Sequence, residues 1–374
     1  MKVVRWLLVF GLLITSGCNA FIGNTSEEME PPVRPEPAAT QEETTVQTLR
    51  VMTHDSFDIG EETLQTFEKQ YGVTVEILQT GDAGVVLNQA ILSRENPLAD
   101  VLYGVDNTLL SRALDADIFY AYDSPLLGEI PDVLELDEQH QALPVDYGDV
   151  CLNYDKGWFE EQGIEPPQNL EALIEPTYHG LTVVENPATS SPGLAFMLAT
   201  IGHFGKSGDY TWLDYWADLR ENEVLVTEGW EDAYWGQFTY GSGGEGDRPI
   251  VVSYASSPPV EVHFAEEPFD EAPTAAVVSD GSCFRQIEFV GILVPKDAPT
   301  RPLAEAWVDF MLGQTFQEDI PLHMFMFPAN ENAVLPEVFV RFAAIPERPA
   351  EVNYAAIELN RAAWVEAWTE TVLQ

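Results

Sequence analysis

Short apolar strands alternate with amphipathic helices along most of this chain, and that alternation constrains its fold more than any other feature. Strands are predicted at residues 49–52, 73–77 and 99–103, with helices at residues 61–71 and 82–91 between them. Successive parallel strands need right-handed crossover connections. The order therefore predicts an α/β chain with mostly parallel sheets.

The same pattern continues through the middle of the chain and toward its end. Further elements are predicted at residues 181–184, 192–204, 250–254, 284–294 and 303–312. The stretch from residue 49 to residue 374 is too long for one small domain and predicts two lobes. Loops at the carboxyl ends of parallel strands commonly hold ligands, so a cleft between the lobes is the expected site.

The amino terminus has the layout of a secretory signal peptide. An apolar run over residues 6–14 follows a charged start and precedes small residues and Cys18. The run is shorter than the roughly 20 residues that a membrane span requires. A cysteine after small residues resembles the lipobox of bacterial lipoproteins, with Thr15 where that family prefers leucine. We expect a signal peptide over residues 1–17 and a lipidated Cys18; an ordinary cleaved signal peptide is the alternative.

A tether is predicted after that cysteine. Residues 18–48 are rich in Glu, Pro, Thr and Ala and have few apolar side chains. Such a stretch buries too little surface to fold, which predicts a disordered acidic spacer. We therefore expect an extracytoplasmic protein that meets the membrane through its lipid alone.

The net charge of the chain disfavours several classes of partner. The chain has 62 acidic against 17 basic residues, a formal net charge of -45. Nucleic acids and anionic lipids are disfavoured as partners because they would be repelled. A cationic ligand fits such a chain, although most of the charge is explained by solubility in salt or acid.

No enzyme motif is found in the sequence. Walker loops, nucleotide-binding glycine fingerprints, zinc-protease motifs and nucleophile elbows are all missing. The six histidines are scattered without metal-ligand spacing. We expect binding without catalysis, cofactor or metal.

Two cysteines remain if Cys18 carries lipid. In an oxidising compartment, Cys151 and Cys283 would be a disulfide candidate that closes a long loop. Two separate buried thiols, or one reactive thiol, are the alternatives.

Polar and aromatic side chains stand mostly at the predicted strand-to-helix corners. They are His54, Asp55, Asp82, Asp106, Ser190, Trp230 and Tyr254. Taken singly, Asp82 and Ser190 suit helix caps and Asp106 suits a turn. Their combination at corners that border a cleft favours a ligand site.

Six runs of sequence resemble, in the same order, those of the thiamine-binding proteins of ABC importers. They are residues 53–57, 99–107, 189–194, 228–234, 253–258 and 324–328. The resemblance implies a monomeric, two-lobed type II periplasmic-binding-protein fold with two mainly parallel sheets joined by hinge crossovers. The implied lobes are residues 49–147 with 285–374, and residues 148–284. It also implies hinge-bending closure and delivery of the ligand to an ABC permease.

The chemistry of thiamine suits the residues that carry this resemblance. Its thiazolium is a permanent cation that binds aromatic faces and carboxylates, and its aminopyrimidine stacks on rings. By resemblance, Asp82 and Ser190 hold the hydroxyethyl arm or a phosphate on it. Trp230 and Tyr254 face the rings.

Three positions depart from the family. Phe325 stands where the family usually has a stacking tryptophan, His54 where relatives can have tyrosine, and Val260 where some have a second tyrosine. With Asp55 and Asp106, the first two belong to the predicted ligand set. The departures leave open the choice among thiamine, its phosphates and its pyrimidine fragment.

The resemblance also bears on the cysteines and on rival functions. Residues 146–151 resemble the family's crossover segment, and residues 283–286 the start of its return strand, which implies a bond between Cys151 and Cys283. Thiaminases share this fold and use a cysteine nucleophile, so a thiaminase-like enzyme is one alternative. A binding protein for a polyamine or another cationic solute is the other.

Overall fold

A computed structural model describes residues 46–265 and 270–374 of the chain. The predicted signal peptide, Cys18 and nearly all of the predicted tether lie outside the described residues. The strands are β1 Gln47–Thr53, β2 Val73–Gln79, β3 Val101–Asp106, β4 Ala142–Asp155, β5 Thr182–Glu185, β6 Leu225–Thr227, β7 Ile250–Tyr254, β8 Thr274–Val277, β9 Phe284–Ile292 and β10 Phe327–Pro328.

Helices follow most of the strands. They are α1 Glu61–Tyr71, α2 Ala83–Leu92, α3 Leu110–Asp115, α4 Lys156–Gln162, α5 Ser191–Phe204, α6 Trp212–Glu221, α7 Pro258–Phe264, α8 Arg301–Leu312, α9 Gln314–Gln317, α10 Ile320–His323, α11 Glu337–Phe342 and α12 Tyr354–Val372. A π-helical segment, Asp232–Gln237, lies between β6 and β7. Among the helices of the described residues, none is both long and apolar enough to cross a membrane.

The predicted α/β class is confirmed, and the sheet is continuous and mixed. Its order is β2-β1-β3-β9-β4-β7-β5-β6, with β8 and β10 also paired to β4. β2, β1 and β3 run parallel at one side, and β7, β5 and β6 run parallel at the other. Antiparallel β9 and β4 join the two groups. The sequence predicted two separate sheets because it did not reveal how far β4 extends.

The length of β4 explains this join. Along its 14 residues, β4 pairs with β9 as far as Val150 and with β7 from Val150 onward. Pro144, Gly148 and three Asp residues interrupt its apolar pattern, so periodicity does not reveal the strand. Nearly all of it is nevertheless buried.

Elements with strong local signals match their predicted bounds closely. α1 spans the predicted residues 61–71 and ends at Gly72, whose φ of 66° is left-handed. A glycine adopts that conformation without the strain that a Cβ would cause. β1 begins at Gln47, so the folded body starts inside the stretch predicted as tether.

The last helix was not predicted and packs against the middle of the chain. Trp368 of α12 meets Trp216 of α6 edge to face, with ring centroids 5.4 Å apart. Both indoles are almost fully buried. This contact places α12 beside α6, whose residues fall within the stretch predicted as the second lobe.

The disulfide prediction is confirmed. Cys151 in β4 is bonded to Cys283, which directly precedes β9, and their Cα atoms are 4.5 Å apart. Neither residue is exposed to solvent. The alternatives with free thiols at these two positions are therefore wrong.

Candidate functional site

A cleft of about 250 Å³ opens where the carboxyl ends of several strands meet. β1 leads to His54, β2 to Asp82, and β7 ends in Tyr254. Trp230 and Phe325 complete the set of predicted residues that line the cleft. Five of the eight predicted ligand residues thus line one cavity. This is expected, because residues at the carboxyl ends of parallel strands meet at one edge of the sheet.

Aromatic rings form one wall of the cleft. The indole of Trp230 stacks on Tyr234 at 4.8 Å, and its Nε1 donates a hydrogen bond to Ser253 Oγ at 3.0 Å. The Phe325 ring stands nearly perpendicular to that indole, with centroids 5.9 Å apart. Trp235 contacts both rings edge to face. These contacts fix the orientation of the rings that a flat ligand would meet.

Asp82 is the carboxylate with the most contacts to the backbone of the cleft. As the N-cap of α2 it accepts a hydrogen bond from Ala83 N at 2.7 Å. It also accepts from Ser191 N at 3.0 Å and from Trp230 N at 3.3 Å. Burial raises the pKa of Asp82, and the hydrogen bond from Ser191 opposes that rise. The side chain therefore connects α2 to α5 and to the aromatic wall.

A close backbone contact beside Asp82 requires glycine. Gly84 N donates to Thr189 O at 3.1 Å. A Cβ at Gly84 would lie 2.7 Å from the same carbonyl oxygen, which no side chain tolerates. The start of α2 therefore lies directly against the loop that leads into α5.

His54 and Glu288 contribute a second polar surface. Their Nε2 and Oε1 atoms are 3.5 Å apart, and both side chains are buried. A Cβ at Gly104 would clash with His54 Cδ2, so this imidazole requires a glycine at that position. The φ of 96° at Gly104 favours glycine independently.

A further buried acidic side chain lies next to Glu288. Asp146 and Glu288 are register partners on β4 and β9, and the Tyr103 hydroxyl lies within hydrogen-bond distance of both. Burial and the neighbouring Glu288 raise the pKa of Asp146 well above its ordinary value. Burial likewise raises the pKa of Tyr254, followed by the charge of Glu288. The charge of Glu288 contributes to both shifts, and its negative potential favours a cation in the cleft.

Three predicted ligand residues lie elsewhere. Asp55 is exposed and does not line the cleft. Asp106 is fully buried, and its Oδ1 accepts hydrogen bonds from the Thr108 hydroxyl at 2.7 Å and from two backbone amides. Burial raises its pKa to about 7. Ser190 caps α5 and lines a neighbouring cavity, while the adjacent Ser191 lines the cleft.

Several residues that line the cleft were not predicted. They include Ser191, Glu231, Trp235, Glu288, Met324 and Met326. A carboxylate within the apolar strand β9 is the signal that points to Glu288. Glu231 directly follows Trp230, and burial raises its pKa while the Ser56 hydroxyl lowers it. Val260 is buried in α7 and does not line the cleft.

The described residues contain no metal-binding cluster. In the ranges 46–265 and 270–374, no three His, Cys, Asp or Glu side chains are grouped so that they could hold an ion. The cleft is instead a cavity of rings and carboxylates.

Comparison with known proteins places this architecture in a family. The family model for bacterial extracellular solute-binding proteins matches residues 96–339. The chain is 29% identical to the thiamine-binding periplasmic protein of Escherichia coli (strain K12), over 87% of this chain and 93% of that one. It is 30% identical to the protein of the same name from Salmonella typhimurium, with the same two coverages.

A solved structure gives the same result for the fold. A periplasmic thiamin binding protein superposes with a TM-score of 0.74 and 26% identity, covering 88% of this chain and 97% of that one. The predicted type II periplasmic-binding-protein fold is thereby confirmed. With the family match extending over most of the described residues, the chain belongs to the bacterial extracellular solute-binding proteins.

Proposed function

We propose that this chain is an extracytoplasmic receptor that captures thiamine, or a thiamine phosphate, in the cleft and delivers it to an ABC permease. One observation carries the proposal: an aromatic wall and buried carboxylates line the same cavity. A flat, permanently cationic ligand satisfies both, because its charge binds carboxylates and ring faces while its planar part stacks. The names of the relatives support the choice of thiamine.

Asp82 has the position to hold the polar arm of such a ligand. Its Oδ2 accepts the 3.3 Å hydrogen bond from Trp230 N, and a carboxylate oxygen can accept a second hydrogen bond from a ligand hydroxyl. Trp230 and Phe325 offer ring faces at nearly 90° to each other. We assign the ring systems to this wall and the positive charge to the side of Asp82 and Glu288.

The rival functions find less support. A thiaminase-like reaction needs a thiolate, and the sulfur of Cys151 is already bonded to Cys283. A polyamine has no ring and would leave the aromatic wall without a stacking partner. Binding of a ring-containing cation without catalysis therefore fits the cleft better than either alternative.

Export, anchoring and closure complete the proposal. Residues 1–17 direct export, Cys18 carries lipid, and the acidic spacer lets a monomeric receptor reach its permease. We place the hinge where β4 changes partner from β9 to β7, beside Val150, because both predicted lobe boundaries fall on or next to these strands. Bending there would open and close the cleft around the ligand.

Tryptophan fluorescence tests the ligand class directly, because Trp230 and Trp235 both line the cleft. Thiamine is expected to change the emission saturably, whereas spermidine, a cation without rings, is expected to leave it unchanged. Phe325→Leu removes one ring and should weaken thiamine binding about tenfold. The matched control Phe342→Leu changes a ring outside the cleft lining and should bind as the wild type does. Equal responses to thiamine and spermidine would rule out the proposed ligand class.

A further inference from the structure

Two arginines meet at a second cavity on the other side of the contact between Asp82 and Ser191. This cavity measures about 390 Å³ and is bounded by α2, α3, α12 and the loop before α5. Arg112 and Arg361 both line it. Asp82 and Ser191 line the cleft, whereas Ser190 lines this cavity, so the two spaces border each other at this contact.

Neither arginine has a carboxylate partner among the described residues, although the chain has 62 acidic side chains against 17 basic ones. The arginines that form ion pairs are Arg50, Arg94, Arg248, Arg285, Arg301 and Arg348. Arg112 donates to the side-chain oxygen of Asn88. The Nε of Arg361 is buried and has no hydrogen-bond acceptor within the described ranges. Donors of this kind are costly when they stay unsatisfied.

The two guanidinium groups line the same cavity, where their like charges repel each other. Burial lowers the pKa of Arg361, and the charge of Arg112 lowers it further. The charge of Asp106 raises the pKa of Arg361 and so opposes this effect. Glu366 lines the cavity and is exposed. Neither carboxylate forms an ion pair with the arginines. Two cations held together without a counterion create a site for an anion.

Helix α5 adds to the positive potential of the cavity. The helix has 14 residues, and its N-cap Ser190 lies at the cavity wall. The Ser191 amide is already bonded to Asp82, and Gly193 N donates to Ser190 Oγ. The helix therefore contributes its dipole, and the donors left for a ligand are the guanidinium groups.

We propose that this cavity binds a phosphate-class anion between Arg112 and Arg361. Planar guanidinium groups match the oxygens of phosphate in paired hydrogen bonds, which chloride cannot form. The phosphate can be free in solution or can belong to a larger ligand such as a thiamine phosphate. The first source does not depend on the function proposed for the cleft.

Calorimetric titration with inorganic phosphate, at an ionic strength held constant with sodium chloride, tests the site. One phosphate per chain is expected, with affinity at least about tenfold weaker in Arg112→Gln and in Arg361→Gln. Arg341→Gln is the matched control, since Arg341 is exposed, forms no ion pair among the described residues and lies outside this cavity. Its phosphate affinity should stay within about twofold of the wild type.

A second arm separates the two sources of phosphate. Thiamine and thiamine phosphate are titrated into the same variants. If free phosphate does not bind but both arginine variants weaken thiamine phosphate and spare thiamine, the cavity holds the phosphate of the ligand. If a glutamine variant has a lower melting temperature than the wild type in chloride buffer, Arg361→Lys replaces it. Weaker phosphate binding is again expected, because lysine lacks the planar guanidinium group. The proposal is overturned if phosphate binds with the same affinity in both arginine variants as in the wild type. It is also overturned if free phosphate does not bind and neither variant changes the affinity for thiamine phosphate.

Discussion

Asp82 Oδ1 accepts a hydrogen bond from Ser191 N at 3.0 Å, which joins the first turn of α2 to the first turn of α5. The two residues are 109 positions apart in the chain and fall in different predicted lobes. The same carboxylate lines the cleft. One side chain therefore lines the cleft and also connects the two predicted lobes.

Asp82→Asn tests this shared role. The amide keeps the shape of the side chain and one acceptor oxygen but loses the negative charge, so we expect thiamine binding to weaken at least about tenfold. Asp55→Asn is the matched control, because Asp55 is exposed and lies outside the cleft lining. Titrations of the two variants side by side measure the difference. Equal thiamine affinities of the two variants would show that the charge of Asp82 does not contribute to thiamine binding.

Buried carboxyl groups predict how stability changes with pH. Burial raises the pKa of Glu261 from 4.5 to about 8, while the Thr274 and Tyr234 hydroxyls that donate to it oppose the rise. The folded state thus binds more protons than the unfolded state between these values. The stabilising contribution is complete below the unfolded pKa and is lost as pH rises through about 8.

We therefore expect the free energy of unfolding to fall between about pH 4.5 and pH 8. Glu261→Gln should remove part of that fall, on the order of a few kcal/mol at most. Denaturant unfolding at several pH values measures the slope, and Glu160→Gln, at an exposed position, serves as the control. A slope that Glu261→Gln leaves unchanged would contradict the assignment.

The disulfide predicts a large effect on stability and a small one on binding. Cys151 and Cys283 are separated by 132 residues, so their bond restricts a long loop in the unfolded chain. In the loop-entropy model, Cys151→Ala with Cys283→Ala should lower the free energy of unfolding by up to about 5 kcal/mol. Neither cysteine lines the cleft, so thiamine affinity should change little once the variant is folded. Denaturant melts with and without reductant give the comparison, and identical melts would contradict it.

The lipid anchor is tested by Cys18→Ser. In the proposed function the lipid on Cys18 is the membrane contact, so the variant should move from the membrane fraction to the soluble extracytoplasmic fraction. Fractionation followed by mass spectrometry of the wild type should also find two acyl chains on that cysteine. A variant that stays in the membrane fraction would show that the anchor lies elsewhere.

Local signals allowed much of the fold to be predicted from the sequence. α1 and its stop at Gly72 follow from apolar spacing and one glycine, and Asp82 was placed correctly as the start of α2. These features depend on residues that are neighbours in the chain. Strand β4 was missed because Pro144 and Gly148 interrupt its pattern while tertiary partners on both edges stabilise it.

The composition of the cleft was harder to predict for a related reason. Ser190 and Ser191 are adjacent, and only the way α5 begins decides that Ser191 lines the cleft. Glu288 lies inside an apolar strand, and its partners His54 and Tyr103 come from distant parts of the chain. Sequence patterns identify the corners that border a site, whereas long-range packing decides which side chain enters it.

Calorimetric titration of the wild-type protein with thiamine, thiamine phosphates, spermidine and ferric citrate tests the central claim most directly. We predict one thiamine or thiamine phosphate bound per chain, with a Kd of roughly 1 μM or tighter. Spermidine and ferric citrate should give no binding heat, because neither has an aromatic ring to stack on the rings that line the cleft. Binding of spermidine or ferric citrate with no heat from any thiamine compound would contradict the account.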